Sequence, residues 1–344
     1  MLIMEKYVFD VADRARLNSA LGCVFGAFIG DALGSALEFK NEISSEMLAE
    51  ALEMKGGIFG NGHGQVTDDS ELAMCIIHGL NDTLPKFSAE SIAKYYKKWV
   101  LTDPFDIGIT TARAFNLFTT KNSKFSQWAT QSARNHNQNS LSNGSFMRCS
   151  PLAVYCRKLS IEDLIKVVTK DVTMTHPNEI IIQSQIFYVI FLSHLIENPQ
   201  DRSGAWTKAR QYLNSCNDEV KSWVKDIEES PPMLATNHIG YAKIAFDHTF
   251  RQILNQEINF ENSMRQILLK GGDTDTNAAI VGAMIGAYVG YDELPELWKQ
   301  KVENFDSMTM EGIPRNKKFL NQTLVKNLII RIFTEAPQIL EEIN

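Results

Sequence analysis

The chain has 344 residues, which is enough to bury a deep hydrophobic core in one large domain or two ordinary ones. Its 44% hydrophobic and 22% charged residues are typical of a globular protein and exclude a disordered chain. Because the formal net charge is −7, we expect no nucleic-acid partner and no anionic membrane surface as a partner.

The first residues of the chain exclude a secretory signal. Glu5, Asp10 and Asp13 interrupt the segment, and no sustained apolar stretch follows the initiator methionine. The five cysteines match no zinc or redox spacing, and most of them lie in apolar runs. We therefore expect buried, reduced thiols and a cytoplasmic protein.

The predicted elements are helices along the whole chain. Apolar residues three and four apart predict helices at 91–100, 161–168, 240–254 and 320–333. The apolar segment 180–196 is expected to be a buried helix, because it is short and polar for a membrane span. No run alternates long enough for a sheet core. We predict an all-α fold, with residues 1–20 as an N-terminal extension and residues 21–344 as one compact multi-helix domain.

Two segments carry small residues at every fourth position, which places them on one ridge of a helix. They are Gly22, Gly26, Gly30 and Gly34 in the first segment, and Gly282, Gly286 and Gly290 in the second. Glycine costs roughly 1 kcal/mol per helical position relative to alanine, so such a ridge needs a reason. Close approach of a neighbouring helix or of a ligand would supply it.

An acidic cluster, Thr67-Asp68-Asp69, follows a glycine-rich turn and opens an apolar helix. Such residues are favoured at helix starts, so an ordinary helix cap is one interpretation. A helix cap explains a single acidic residue better than a run of acidic residues, because adjacent carboxylates repel each other unless a cation offsets their charge.

A second cluster, Asp273-Thr274-Asp275-Thr276, also lies between a glycine turn and an apolar helix. Alternating oxygen ligands on a tight turn suit a hard cation, and the loop is not an EF-hand. Each cluster alone could be a cap, but the pair favours a metal site. All-oxygen ligands favour Mg²⁺, Mn²⁺ or Ca²⁺ over zinc, and five or six of them could hold two ions.

Three weaker signals accompany these clusters. Glu38 ends the first glycine-ridged segment, where a solvated carboxylate is the simpler interpretation. The string NGSFMR at 143–148 could lay backbone N–H groups along a phosphate or ribose. His176 offers one imidazole at a helix start, and a single histidine of this kind is usually structural.

In this combination the chain resembles the ADP-ribosylglycohydrolase family. Four blocks occur in the expected order: GAFIGDALGSALEF (26–39), GQVTDDSELAM (64–74), NGSFMRCSPLAV (143–154) and GGDTDTNAAIVGAMIGA (271–287). A weaker block, PFDIGITT (104–111), lies between the second and the third. Ser70-Glu71-Leu72 departs from many relatives, which could alter the surroundings of the ligands.

The resemblance implies a set of site residues. The implied metal ligands are Thr67, Asp68, Asp69, Asp273, Asp275 and Thr276. The residues implied to cradle ADP-ribose are Ser140, Leu141, Ser142, Asn143, Gly144, Ser145, Met147 and His176. Asp69 or Asp275 is the implied base, Glu38 aligns with an acidic site residue of some members, and Asp106 matches a position that faces a substrate arginine.

The function implied by the resemblance is hydrolysis of the N-glycosidic bond of mono-ADP-ribosylated protein, most plausibly on arginine. The implied cofactors are two divalent cations, Mg²⁺ or Mn²⁺, and the implied partner is the ADP-ribosylated protein. Some members use an N-terminal extension to neutralise ADP-ribosyltransferase toxins, so residues 1–20 suggest a toxin as a second partner.

Several alternatives stay open at this point. The chain could be an immunity protein that occludes such a toxin, or a catalytically inactive, crystallin-like binding protein. It could be a metal-dependent phosphatase. It could also hydrolyse serine-linked, nucleic-acid-linked or O-acetyl-linked ADP-ribose.

Overall fold

Helices joined by irregular segments make up residues 9–116 and 124–337, which are the residues that this computed structural model describes. Within those two ranges there are sixteen α-helices and no strand, apart from an isolated bridge between Ser142 and Tyr241. The prediction of an all-α fold is confirmed. In chain order the helices are α1 (Val11–Gly34), α2 (Ser45–Leu52), α3 (Asp68–Asn81), α4 (Ala89–Val100), α5 (Ile109–Phe115), α6 (Phe125–His136), α7 (Ser150–Cys156), α8 (Ile161–Val172), α9 (Glu179–Glu197), α10 (Arg202–Leu213), α11 (Asp218–Glu229), α12 (Ala242–Ile253), α13 (Phe260–Leu268), α14 (Thr274–Val289), α15 (Glu296–Asn304) and α16 (Val325–Glu335).

The predicted helices correspond to α4, α8, α12 and α16. Helices α4 and α12 agree closely with the predicted bounds, α8 extends four residues beyond its predicted end at 168, and α16 begins later than the periodicity indicates. Asn321 accepts a hydrogen bond from the backbone N–H of Thr323 and opens a short 3₁₀ turn, and α16 begins only at Val325. Side chains of this type favour caps and turns over helix interiors, which explains the delay.

Helices α1 and α9 are both long and apolar enough to cross a membrane when only length and composition are considered. By that measure the expectation that 180–196 is too short and too polar for a span is wrong. The prediction that 180–196 is a buried helix is confirmed, because 78% of the most apolar window of α9 is buried inside the fold. The corresponding window of α1 is 94% buried. The five cysteines are free and buried, as predicted.

The glycine ridges of α1 and α14 face each other across an antiparallel helix pair. A Cβ atom built on Gly26 would lie 2.2 Å from the carbonyl oxygen of Gly282, and one on Gly22 would lie 2.2 Å from that of Gly286. At the other end, Gly34 lies against the backbone of Asp275. The ridges therefore let two backbones meet directly, which was one of the two predicted reasons for them.

The two ends of α1 bear on the sequence predictions. The helix begins at Val11 and runs without a break across residues 20 and 21, where the sequence analysis separates an extension from the domain. It ends at Gly34, so Glu38 lies in the turn after the helix rather than on its last turn. Residues 1–8 lie outside the described ranges.

Candidate active site

The two acidic clusters form the N-termini of α3 and α14. Thr67 is the N-cap of α3 and Asp273 is the N-cap of α14, yet neither side chain accepts a hydrogen bond from its own helix. The Thr67 hydroxyl donates instead to Asp31, and Asp273 accepts from Asn143. An ordinary side-chain cap therefore does not account for these two residues.

The clusters converge although some two hundred residues separate them. Carboxylate oxygens of Glu38, Asp273 and Asp275 lie within 4.8 Å of one another. Oδ2 of Asp69 lies 3.4 Å from the hydroxyl oxygen of Thr276 and 3.4 Å from that of Thr67. Here "the acidic centre" denotes Asp31, Glu38, Asp68, Asp69, Asp106, Asp273 and Asp275.

Asp31 is a member of this centre that the sequence analysis did not select. It is completely buried on α1, and its carboxylate accepts the backbone N–H and the hydroxyl of both Thr67 and Ser70. These bonds satisfy the first turn of α3 and fix its position relative to α1. The only sequence signal for Asp31 is its position as an acidic residue on a glycine-ridged helix.

Asp106 lies at the edge of the acidic centre. The backbone N–H of Gly108 donates to Oδ2 of Asp68 at 3.3 Å, which ties the segment that carries Asp106 to the first cluster. Asp106 itself is half-buried. The structure thus places Asp106 beside the first cluster.

Burial raises the pKa of most of these carboxyl groups. It raises the pKa of Asp31 to about 7, that of Glu38 to about 9 and that of Asp106 to about 6. For Asp68, Asp69 and Asp275 burial raises the pKa well above the usual range, and neighbouring carboxylates raise it further. So many buried carboxylates cannot all be charged together without a cation.

The donor set of the acidic centre fits a hard cation. Oε2 of Glu38 and Oδ1 of Asp69 are buried without any hydrogen-bond partner. Within the described ranges no lysine, arginine or histidine forms an ion pair with a member of the centre. Carboxylate and hydroxyl oxygens are the ligands that Mg²⁺, Mn²⁺ and Ca²⁺ prefer, so the residues present suit such an ion.

A wall of small polar residues adjoins the acidic centre. The hydroxyl oxygens of Thr110, Ser140 and Ser142, here called the hydroxyl cluster, lie 3.0 to 3.1 Å from one another. Ser140, Leu141 and Ser142 line a cavity of about 510 Å³ together with residues 238–241. The two serines of the hydroxyl cluster therefore line a space large enough for part of a nucleotide-sized ligand.

The segment that forms this wall is held by backbone bonds to the start of α12. The N–H of Asn143 donates to the carbonyl of Gly240, and the N–H of Ala242 donates to the carbonyl of Leu141. The Asn143 side chain donates to Oδ2 of Asp273 at 2.7 Å, which joins the wall to the acidic centre. Sequence reasoning missed Thr110 and residues 238–241, although Thr110 lies in the PFDIGITT block.

The remaining predicted ADP-ribose residues lie behind this wall. A Cβ on Gly144 would lie 3.4 Å from the ring of His176, and the buried Ser145 hydroxyl has no hydrogen-bond partner. The sulfur of Met147 lies 3.9 Å from the hydroxyl oxygen of Thr276. His176 is completely buried, and its Nε2 lies 2.9 Å from the hydroxyl oxygen of Ser142.

Comparison with known proteins identifies what the chain is similar to. The family model described as ADP-ribosylglycohydrolase matches residues 12–331. A putative ADP-ribosyl glycohydrolase of Acanthamoeba polyphaga mimivirus is 27% identical, with 83% of this chain and 91% of the relative covered. The ADP-ribosyl-[dinitrogen reductase] glycohydrolase of Rhodospirillum rubrum is 25% identical over 86% of this chain and 91% of its own.

A third relative and a solved structure extend these similarities. An ADP-ribosylarginine hydrolase of Serratia proteamaculans is 23% identical, with 98% of this chain and 82% of the relative covered. A solved structure titled ADP-ribosylglycohydrolase-related protein complex superposes with a TM-score of 0.70 at 20% identity, over 94% of this chain and all of that one. At that identity the superposition shows a shared fold.

Proposed function

Because the chain belongs to the ADP-ribosylglycohydrolase family of hydrolases, we propose that it removes ADP-ribose from mono-ADP-ribosylated protein, with arginine as the modified residue. The observation that carries this proposal is the acidic centre, which lies directly beside the hydroxyl cluster. Two relatives support the substrate kind by name, one acting on ADP-ribosyl-[dinitrogen reductase] and one on ADP-ribosylarginine. Those names give no support to a toxin partner.

We propose that the acidic centre holds divalent cations, with Mg²⁺ or Mn²⁺ as the physiological ions. The residues that would hold them are Thr67, Asp68, Asp69, Asp273, Asp275 and Thr276. When bound, such cations polarise ribose hydroxyl groups and lower the pKa of a coordinated water molecule. The two unpartnered oxygens, on Glu38 and Asp69, favour this assignment, because buried polar atoms are normally satisfied.

The reaction replaces a carbon–nitrogen bond by a carbon–oxygen bond. Water adds to the anomeric carbon of the ribose and the bond to the guanidinium nitrogen breaks. The leaving nitrogen gains one proton, which balances the proton that the water loses, so arginine is released with its intact guanidinium group. Asp69 or Asp275 is the proposed base that takes the proton from the water. The half-buried carboxylate of Asp106 is proposed to hold the guanidinium group by charge and hydrogen bonding.

We expect Asp275→Asn to lower the turnover of arginine-linked substrate by at least about a hundredfold, because it removes a proposed base and a charged ligand. The measurement is release of ADP-ribose from arginine-modified protein in Mg²⁺, with parallel reactions in EDTA. Asp218→Asn, on the exposed first turn of α11, is the control and should keep full activity. Equal turnover by Asp275→Asn and the control, or full activity in EDTA, would reject the metal proposal.

The Asp106→Asn variant tests whether Asp106 selects arginine-linked substrate or supports hydrolysis of every substrate. Loss of the carboxylate should lower hydrolysis of arginine-linked ADP-ribose by roughly thirtyfold or more, the equivalent of about 2 kcal/mol for a lost charged partner. Serine-linked ADP-ribose has no guanidinium group for Asp106 to hold, so its hydrolysis should change little. The substrate panel also includes nucleic-acid-linked ADP-ribose. If arginine- and serine-linked substrates decline equally, Asp106 supports the centre through Asp68 and does not select arginine.

A further inference from the structure

A buried chain of hydrogen bonds runs from the protein core to the hydroxyl cluster. It begins at Arg148, whose guanidinium donates through Nε to Asp171 at 3.1 Å, with neither side chain exposed. Nη2 of Arg148 also donates to the hydroxyl oxygen of Thr175 at 2.9 Å. The same hydroxyl lies 2.8 Å from Nδ1 of His176, whose Nε2 reaches Ser142.

The direction of each bond in this chain follows from Arg148. A guanidinium group can only donate, so the Thr175 oxygen must accept from it. The single Thr175 hydrogen then has two possible acceptors, which are Nδ1 of His176 at 2.8 Å and the carbonyl of Val172 at 3.5 Å. If Nδ1 donated to the Thr175 oxygen, the hydroxyl hydrogen would have only the 3.5 Å contact with Val172, which is too long for a good hydrogen bond. Both groups are satisfied when the hydroxyl donates to Nδ1.

A neutral imidazole that accepts at Nδ1 carries its hydrogen on Nε2. Burial and the charge of Arg148 lower the pKa of His176 to about 3, so the ring is neutral at physiological pH. Nε2 therefore donates to the hydroxyl oxygen of Ser142. In the opposite tautomer Nε2 would carry no hydrogen, and the Ser142 hydroxyl would have to donate its own hydrogen to Nε2.

The two tautomers differ in what the hydroxyl cluster can offer a ligand. Four contacts join its three hydroxyl groups to one another and to His176. With the hydrogen on Nε2, four hydrogens are available for these contacts, whereas the opposite tautomer leaves only three. When a ligand oxygen replaces one of the four contacts, the Nε2 tautomer supplies a hydrogen for that oxygen and for each of the three remaining contacts. The opposite tautomer is one hydrogen short, so the Nε2 tautomer suits an anionic oxygen such as that of a phosphate.

We propose that Arg148 is a positioning residue, which acts through Thr175 to fix His176 with its hydrogen on Nε2. The hydroxyl cluster is thereby held as a hydrogen-bond donor for a phosphate oxygen of the ligand. This inference rests on the proposed function for the identity of the ligand, which is the diphosphate of ADP-ribose. The tautomer of His176 can be measured without any ligand.

The first measurement is nitrogen-15 NMR of the full chain with labelled histidine, in which the signals of His176 are identified by their absence from a His176→Gln variant. We expect the Nε2-protonated tautomer in the unliganded protein. The same spectrum of Thr175→Ser, which keeps the hydroxyl, should show the same tautomer. An Nδ1-protonated ring in the unchanged protein would overturn the proposal, and this test needs no destabilising substitution.

The second measurement is calorimetric binding of ADP-ribose to the same variants. Thr175→Val removes the hydroxyl at nearly constant volume and should weaken binding by roughly tenfold, the usual size for one hydrogen bond to a charged group. Thr175→Ser should bind within about threefold of the unchanged protein, and adenosine, which has no phosphate, should bind both equally. Equal ADP-ribose affinity of a folded Thr175→Val variant would overturn the proposal.

The two measurements also distinguish this inference from the proposed function. If no ADP-ribose binds although the Nε2 tautomer is present, the proposed function fails, and inorganic phosphate becomes the probe for the cluster. Phosphate binding that Thr175→Val weakens would then still support the donor wall. If Thr175→Val left the affinity for phosphate unchanged, the proposal that the hydroxyl cluster donates to a phosphate oxygen would be rejected.

Discussion

Gly26→Ala is expected to lower the free energy of unfolding by about 2 kcal/mol, although alanine is the better helix former. The added Cβ would lie 2.2 Å from the carbonyl oxygen of Gly282, a contact that real Cβ atoms essentially never show. The obstacle is backbone on a buried helix, so no side chain can turn away and α1 and α14 must separate. Overpacking of this kind costs up to about 3 kcal/mol, which exceeds the roughly 1 kcal/mol gained in helix propensity.

The same separation should also affect catalysis, because the two helices position the acidic centre. Gly34 lies against the backbone of Asp275, and Asp31 on α1 fixes the first turn of α3. We therefore expect Gly26→Ala to lose ADP-ribose release together with stability.

Urea unfolding followed by circular dichroism measures the effect of Gly26→Ala, with Gly108→Ala as the control. A Cβ on Gly108 meets nothing within 4 Å, so its substitution should change stability by no more than about 0.5 kcal/mol. A Gly26→Ala variant more stable than the unchanged chain would show that helix propensity outweighs the contact. In that case the close approach of α1 and α14 would be wrong.

The helix pair also shows how much of the fold the sequence predicts. Glycine at every fourth position predicts a close approach of a neighbouring helix or of a ligand, and the structure shows that each ridge is the partner of the other. What periodicity cannot predict is the register, which depends on which carbonyl each Cα meets. Gly22 opposite Gly286 and Gly26 opposite Gly282 are therefore known only from the structure.

The members of the acidic centre that lie in acidic runs could be predicted from the sequence. A single acidic residue that reaches the centre from a different helix could not. Thr67, Asp69 and Asp275 lie in runs whose mutual repulsion points to a cation. Asp31 stands alone in an apolar helix, and its hydrogen bonds to the start of α3 span 36 to 39 residues of sequence. No local spacing predicts such a contact, because only the packing of the two helices creates it.

Glu71 illustrates the same limit from inside a motif. The sequence analysis noted it as a departure that could alter the surroundings of the ligands. In the structure its carboxylate pairs with Arg315, 244 residues later. The partner lies in an irregular segment between α15 and α16, where neither charge pattern nor periodicity singles it out.

Arg315→Met is expected to destabilise the protein by about 3–5 kcal/mol, because it leaves the Glu71 carboxylate buried without its charged partner. Nε and Nη2 of Arg315 lie 2.6 and 2.8 Å from the two carboxylate oxygens, and both side chains are at most 5% exposed. Trp99 Nε1 also donates to this carboxylate, at 2.6 Å. The remaining indole donor cannot replace a full positive charge.

The pair also holds the segment that leads to Asp106. Nη2 of Arg315 donates to the hydroxyl of Thr102 at 2.9 Å, and Nη1 lies 3.4 Å from the carbonyl oxygens of Thr102 and Asp103. A folded Arg315→Met variant should therefore also hydrolyse arginine-linked substrate more slowly.

A double variant separates the ion pair from simple loss of packing. Glu71→Gln combined with Arg315→Met removes both charges and keeps an acceptor for Trp99, so it should be more stable than Arg315→Met alone. Arg265→Met breaks the exposed pair with Glu261 and should cost no more than about 1 kcal/mol. Urea unfolding of the four proteins decides the matter: a double variant as unstable as Arg315→Met would mean that the guanidinium stabilises the fold through Thr102 and Asp103, and that the charge of Glu71 contributes little.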